Sequence, residues 1–250
     1  VGFVPWQGTG ELVSIAGPRW YFNEGYIKQI LIYGGGLLYY EDVDDYTDYG
    51  GLVGFNMLFR NNWGYEVNTD FSRSKDEGIL YNSYNLSLSS WYHISPAWQA
   101  NFYTGFSRNY NFNRDYLGYY FWYEGQIEWQ LLKTLQIGTS ASAFIEYDPD
   151  GSVDDITYNA RPFLSATPIN DLNIRIYFDE VFVKSTDRVT ETIFGLLFSY
   201  NFSPKSWIYF AFNEYRERDE PFNASGVRLP KRLVIKDRVG VVKLKYLYYF

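Results

Sequence analysis

Three sets of residues in this chain could do chemistry. The first is a single imidazole, His93, in a sequence with no Cys. Disulfides, thiolate nucleophiles and thiolate metal sites are therefore excluded. A histidine base needs a nucleophile or an acidic partner within hydrogen-bond reach. His93 instead stands two residues before the turn Ser95-Pro96, beside no nucleophile motif. It reads as a rim residue bonded to water or headgroups, and no enzyme activity is expected from this segment. The second set is the loop 148–155, with Asp148, Asp150, Asp154 and Asp155 around Gly151. Hard carboxylate oxygens at this spacing could hold calcium, with Asp148, Asp150 and Asp154 as ligands. The loop lacks the closing bidentate Glu of an EF-hand, so a solvated acidic loop is the plainer reading. Glu41, Asp42, Asp44, Asp45 and Asp48 form a second acidic loop of the same kind. No other cofactor is expected. The third set carries charges of both signs inside alternating segments: Arg60, Glu66, Asp70, Glu124, Glu128, Glu146, Arg161, Arg175, Asp179, Lys243 and Lys245. On the inner wall of a β structure, such charges either pair with one another or line a water-filled pore. Asn101, Tyr103, Tyr177 and Asn213 on that wall could give a sugar both stacking and hydrogen bonds, with plain filling of the interior as the simpler role.

The elements that must position these residues are strands. Phe121, Tyr123, Ile127, Trp129 and Leu131 alternate with Glu124, Gln126, Glu128 and Gln130. The same period of two runs through 53–60, 65–74, 84–92, 135–147, 174–179 and 192–201, and it predicts half-buried strands. Turn signals centred on Asn23, Asn61, Ser95, Lys133, Ile169 and Pro204 recur every 34 to 38 residues. Between them lie longer polar connections: 41–50, 73–78, 109–115, 148–155, 184–188 and 217–232. Each repeat is thus one long hairpin, with short turns on one side and long loops on the other. That asymmetry is the pattern of an outer-membrane barrel, whereas a propeller packs four short strands into each repeat. The first strand is expected at roughly Leu12–Phe22. Pro162 predicts a bulge within Tyr158–Ala166, and Gly34-Gly35-Gly36 predicts a bend.

Composition agrees. Aromatic residues make up 22% of the chain, with 26 Tyr, 20 Phe and 8 Trp. Many crowd the strand ends next to short turns, such as Trp20, Trp63, Trp91, Tyr92, Trp98, Trp207 and Tyr209, where an interfacial girdle would lie. No run approaches the ~18 apolar residues of a membrane helix. The net charge of −7 argues against a nucleic-acid partner, which would need a basic face. The last stretch, 239–250, sets Val242, Leu244, Tyr246, Tyr248 and Phe250 against Lys243 and Lys245. Its alternation runs to the final residue, so Gly240, Tyr246, Tyr248 and Phe250 are expected to form the signal read by the barrel-assembly machinery. The fold class expected is all-β, an antiparallel transmembrane β-barrel with about 13–14 strands in a single domain spanning 1–250. Single-chain bacterial barrels have an even number of strands, so either Val1–Pro5 supplies a short extra strand or, the favoured reading, the chain is the C-terminal part of a larger barrel, lacking upstream strands. The location expected is the bacterial outer membrane, C-terminus periplasmic, with membrane lipid as a partner.

Three stretches resemble one family: VGFVPWQGTGELVSIAGPRWYF at the start, SPKSWIYFAFNEYRERDE at 203–220 and RVGVVKLKYLYYF at 238–250. The most specific parts are Asn213–Arg216 and Lys243–Leu247. The family is an uncharacterised domain forming the C-terminal barrel of outer-membrane proteins in Bacteroidota and related bacteria. It usually follows an N-terminal module similar to carbohydrate-binding family nine. The resemblance implies fold, location and a link to glycans or to a surface or periplasmic partner, but no catalytic residues. Two functions follow as expectations. One is a pore or transport-type channel for polar solutes; the other is a membrane anchor or export channel for such a module. About 16 strands would leave the lumen open, whereas 13 or 14 filled by charge pairs would not.

Overall fold

The structure is a computed structural model describing residues 9–42, 45–95, 97–112, 114–219 and 230–247. Its first seven strands are β1 (Thr9–Ala16), β2 (Arg19–Tyr21), β3 (Ile27–Glu41), β4 (Tyr46–Phe59), β5 (Trp63–Asp76), β6 (Ile79–Ser95) and β7 (Trp98–Asn111). The other seven are β8 (Tyr116–Leu132), β9 (Leu135–Tyr147), β10 (Val153–Ile169), β11 (Leu172–Val183), β12 (Arg188–Ser203), β13 (Ser206–Asp219) and β14 (Arg232–Lys245). They form one fourteen-stranded sheet in which consecutive strands neighbour each other from β3 to β14. This all-β, antiparallel meander is the fold class the alternation predicts, and it is the strand order of a barrel wall. From β3 onwards the strands are 12 to 17 residues long, beyond the ~9–11 residues a tilted strand needs to cross a bilayer. Among the described residues no helix is long and apolar enough to cross a membrane; this does not bear on crossing by strands.

Contacts divide the chain into two units. One is built on β1 to β6, with the long-loop parts of β7, β8 and β9. The other is built on β11 to β14 and most of β10, with the short-turn parts of β7, β8 and β9. In the first unit, β1 and β2 are one strand interrupted at Gly17-Pro18. Ala16 faces Gly34 and Arg19 faces Leu31, so both pieces keep one register against β3. Proline has no N–H for the ladder. A Cβ at position 17 would collide with the β3 backbone at Ile32 and Tyr33, so only glycine fits there. The glycine run 34–36 does not end or bend out of β3; it stays paired with both β1 and β4, and the register shift lies at Ile27/Gln29 instead. The connection expected over 73–78 is largely strand. β5 runs to Asp76 and β6 starts at Ile79. The turn is Glu77 (φ 49°) and Gly78 (φ 80°), both left-handed, as a two-residue hairpin turn matching the twist of its strands requires.

In the second unit the bulge expected at Pro162 does not appear in the β10–β11 ladder. The β10–β11 ladder pairs Ala160 with Glu180 and Phe163 with Tyr177 in unbroken register, and the shift falls between Ala166 and Ile169, beside Pro168. Two more shifts, at Val181/Phe182 and Tyr215/Arg216, lie towards the long-loop ends of β11–β12 and β13–β14.

One device recurs in five hairpins on the long-loop side. A ring on one strand lies over a glycine on its partner, where any Cβ would collide with it: Tyr33 over Gly54, Trp91 over Gly64, Trp122 over Gly105, Phe163 over Gly138 and Tyr177 over Gly195. Flat rings covering glycines across a ladder fix register and fill the polar face without bulk.

Candidate functional site

The candidate site is the polar face of the sheet. Its membership follows from register, since residues directly opposite in an antiparallel ladder share a face. In the first unit, Asn56 faces Glu66, which faces Ser89; Leu52 faces Asp70, which faces Asn85. Glu66 is the centre of a bonded cluster. Tyr33 Oη donates to Glu66 Oε1 (2.6 Å), Asn56 Nδ2 to Oε2 (2.7 Å) and Asn68 Nδ2 to Oε1 (3.0 Å). Tyr33 also hydrogen-bonds Asn68 Oδ1. Asp70 accepts from Asn85 Nδ2 at 3.0 Å, and the Ser72 and Ser83 hydroxyls are 2.5 Å apart. These carboxylates are held by neutral donors, so their negative charge is retained while their geometry is fixed.

In the second unit, Asp179 is buried and takes three donors: Asn159 Nδ2 (2.5 Å), Arg161 Nε (2.9 Å) and Arg161 Nη2. Arg161 also lies 5.5 Å from the Tyr177 ring centre, and Arg175 sits 4.1 Å over Phe163. Glu128 accepts from Gln126 (2.6 Å) and Gln136 (2.7 Å). Lys243 faces Tyr209; Lys245 faces Trp207, with its ammonium 5.0 Å over the indole. Glu124 and Lys243 make no hydrogen bond among the described residues, and both are exposed. Tyr177 Oη donates to Asn213 Oδ1 at 2.8 Å, so two of the four sugar-contact candidates already satisfy each other.

Several expected sites land elsewhere. Arg60 closes the chain end of the first hairpin, donating to the Gly25 (2.8 Å) and Phe22 carbonyls. Trp91, Trp207 and Tyr209 do not join an apolar girdle: they lie on the polar face, because Trp91 covers Gly64 and the other two oppose lysines. Trp63 keeps the expected place, stacked between Phe59 (3.8 Å) and Tyr92 (5.7 Å), as do Trp98 and Trp129 (4.9 Å). His93 borders a shallow cleft of about 320 Å³ with Asn61, Trp63 and Tyr92. The carboxylates proposed for calcium have separate partners. Asp148 accepts from Tyr116 and Ser152, Asp150 from Ser152, and Asp154 pairs with Arg114, which also reaches Glu146 at 3.8 Å. Among the described residues no three acidic, His or Cys side chains gather as a metal site. The Ser152 N–H at 2.9 Å, and then its hydroxyl, hold the Asp150 carboxyl below the usual aspartate range. Gly240 faces Phe212, and Tyr246 lies parallel to Phe202 with ring centres 6.4 Å apart. Tyr248 and Phe250 lie outside the described residues.

The opposite face is apolar and open. Phe71 is 61% exposed and Val242 68%, and Val53, Leu86, Phe178, Phe194 and Leu244 are exposed beside them. Among the described residues Phe163, at 6%, is the one buried hydrophobic residue. A water-soluble sheet of this size would hide such a face against another layer.

No protein-family model matches the chain. No curated protein matches it. Among solved structures, the chain is similar to the NanC porin at 12% identity and a TM-score of 0.40, over 80% of this chain and 94% of that one.

Proposed function

We propose that this chain is the wall of an outer-membrane β-barrel of transport type, passing polar solutes along its polar face. One observation carries the reading: a sheet with strands long enough to span a bilayer leaves its large apolar side chains exposed, and buries a single hydrophobic residue among those described. Burying apolar surface is worth about 25 cal/mol per Å², so a face of this kind is stable only against hydrocarbon. Closed strands satisfy the backbone in lipid, and alternate residues then line the interior. The polar face supplies fixed carboxylates at Glu66 and Glu128 and exposed charges at Glu124 and Lys243. Fixed charge sets ion preference, and unpaired side chains bind solutes weakly enough to release them.

The pairing of Arg161 with Asp179, and of Tyr177 with Asn213, favours a second reading in which the interior is filled and the barrel anchors a surface module. Planar-bilayer conductance of the inserted protein separates the two. The transport reading expects stable channels whose cation preference falls in Glu124→Gln/Glu128→Gln. Well-inserted protein without channels refutes it and leaves the anchor.

A further inference from the structure

The apolar face of the second unit is interrupted by charge at one level. Along β13 its outward residues are Ile208, Phe210 and Phe212, and then Glu214 and Arg216. Glu214 faces Phe194 on β12 and Arg238 on β14, so it belongs to the apolar face. Its two oxygens hold two arginines: Arg216 Nε donates to Oε1 at 2.7 Å, joined by Nη2, and Arg238 Nε donates to Oε2 at 2.6 Å. The carboxylate is buried beneath them. The guanidinium groups remain open, at 49% and 57% side-chain exposure.

One anion cannot neutralise two cations. Nη1 of Arg216 and both terminal nitrogens of Arg238 donate to no protein group among the described residues. Among the described residues the nearest other acid on this face is Glu180, two strands from Arg216 with Thr192 between them, which puts it about 10 Å away at normal strand spacing. The site therefore presents excess positive charge and at least three unused donors at the upper edge of an apolar belt. Just below Arg238 is Gly240, where a Cβ would meet nothing within 4 Å. The absent side chain leaves the apolar face open there, beside Phe212 across the ladder and Val242 along the strand. Charge above and an open apolar stretch beneath match the two halves of an amphiphile.

We propose that Arg216 and Arg238, held by Glu214, bind the phosphate of a membrane lipid headgroup, with an acyl chain of that lipid lying over Gly240. Arginine suits the task because its planar fork matches phosphate oxygens bidentately. Glu214 has a positioning role: it holds both guanidinium groups side by side and leaves their outer nitrogens to the ligand. This inference rests on the reading that the apolar face meets lipid.

The test uses the full chain folded into phosphatidylcholine vesicles doped with diphosphoryl lipid A, or with the same lipid after dephosphorylation. Lipid retained after transfer to detergent is counted by native mass spectrometry. Wild-type protein retains the phosphorylated lipid preferentially, and Arg216→Gln/Arg238→Gln lowers that retention at least about tenfold, since losing even one charge-assisted hydrogen bond is worth that much. Glu214→Gln, which releases both guanidinium groups from their shared carboxylate, lowers retention less than the double arginine variant does. Lys243→Gln/Lys245→Gln, on the opposite face, leaves it unchanged. Equal retention of both lipids, or an unchanged count in the arginine variant, overturns the proposal. So does a change in copy number without a change in retention, which would make the patch a contact between copies of the chain. Failure of the wild-type protein to insert into vesicles overturns the membrane reading itself.

Discussion

Gly195→Ala isolates the register device of the polar face. The three atoms nearest to a Cβ at 195 all belong to the Tyr177 ring, well inside van der Waals contact. Position 195 has no left-handed φ, so the methyl group carries no backbone penalty and the whole cost falls on the ring. Overpacking of this kind costs about 1–3 kcal/mol. A ring that swings aside also gives up its bond to Asn213, worth about 1 kcal/mol. It loses its cation–π contact with Arg161, worth about 0.5–1 kcal/mol. Against this, Ala restricts the unfolded chain and returns about 0.4–1 kcal/mol. The expected net loss is about 1.5–4.5 kcal/mol. Urea unfolding of the refolded protein in lipid vesicles, followed by tryptophan fluorescence, reads it. In a Tyr177→Ala background the ring is gone, so the methyl's cost should largely fall away, giving a coupling of about 2 kcal/mol or more. If Gly195→Ala costs the same with and without the ring, to within ~0.5 kcal/mol, the ring-over-glycine explanation is wrong.

Arg161→Met leaves the buried Asp179 carboxylate with Asn159 alone; allowing for the half-exposed guanidinium, the loss should be about 1–3 kcal/mol by the same unfolding assay. Ser152→Ala removes the hydroxyl but keeps the N–H, so it should raise the Asp150 carboxyl only part of the way to its ordinary range, as read by NMR titration. In the wild type the folded pKa is depressed, so this loop's contribution is present at neutral pH and is lost as pH falls below the ordinary aspartate value through the depressed one. Ser206→Ala removes the acceptor of the Leu247 N–H (3.1 Å) at a buried hydroxyl, and should speed hydrogen exchange at Leu247 without changing the β13–β14 ladder. Deleting Phe250 should lower the yield of heat-modifiable barrel in the outer membrane; an unchanged band on the gel counts against a terminal assembly signal.

The two faces were legible from spacing. Glu124, Glu128, Asp70 and Arg175 fall on the polar face because a strand's period is two, and no later event can change that short of a slip. The short turns were legible because Asn, Pro and Gly mark them chemically. The connection at 73–78 was misread because polar residues such as Arg73 and Lys75 looked like loop, whereas here they continue a strand past the apolar belt. Pro162 was misread for a related reason: the ladder on its β11 side runs on in register across it, and the sequence does not say which ladder a missing N–H would belong to.

What the sequence by itself determined is the alternation, the hairpin beat and hence an all-β sheet with one polar and one apolar face. Those are local properties, set by side-chain direction and turn chemistry within a few residues. The tertiary structure decided which side chains meet. Tyr33 and Glu66 are 33 residues apart and Tyr177 and Asn213 are 36 apart, one hairpin period, so each pair depends on the stagger of two successive ladders. The same dependence placed Trp91 over Gly64 instead of in a girdle, and it set Arg216 and Arg238 on a shared carboxylate at the edge of the apolar belt. Stagger is a sum over turns and register shifts along the sheet, and a sum of that kind is fixed only when the strands are paired.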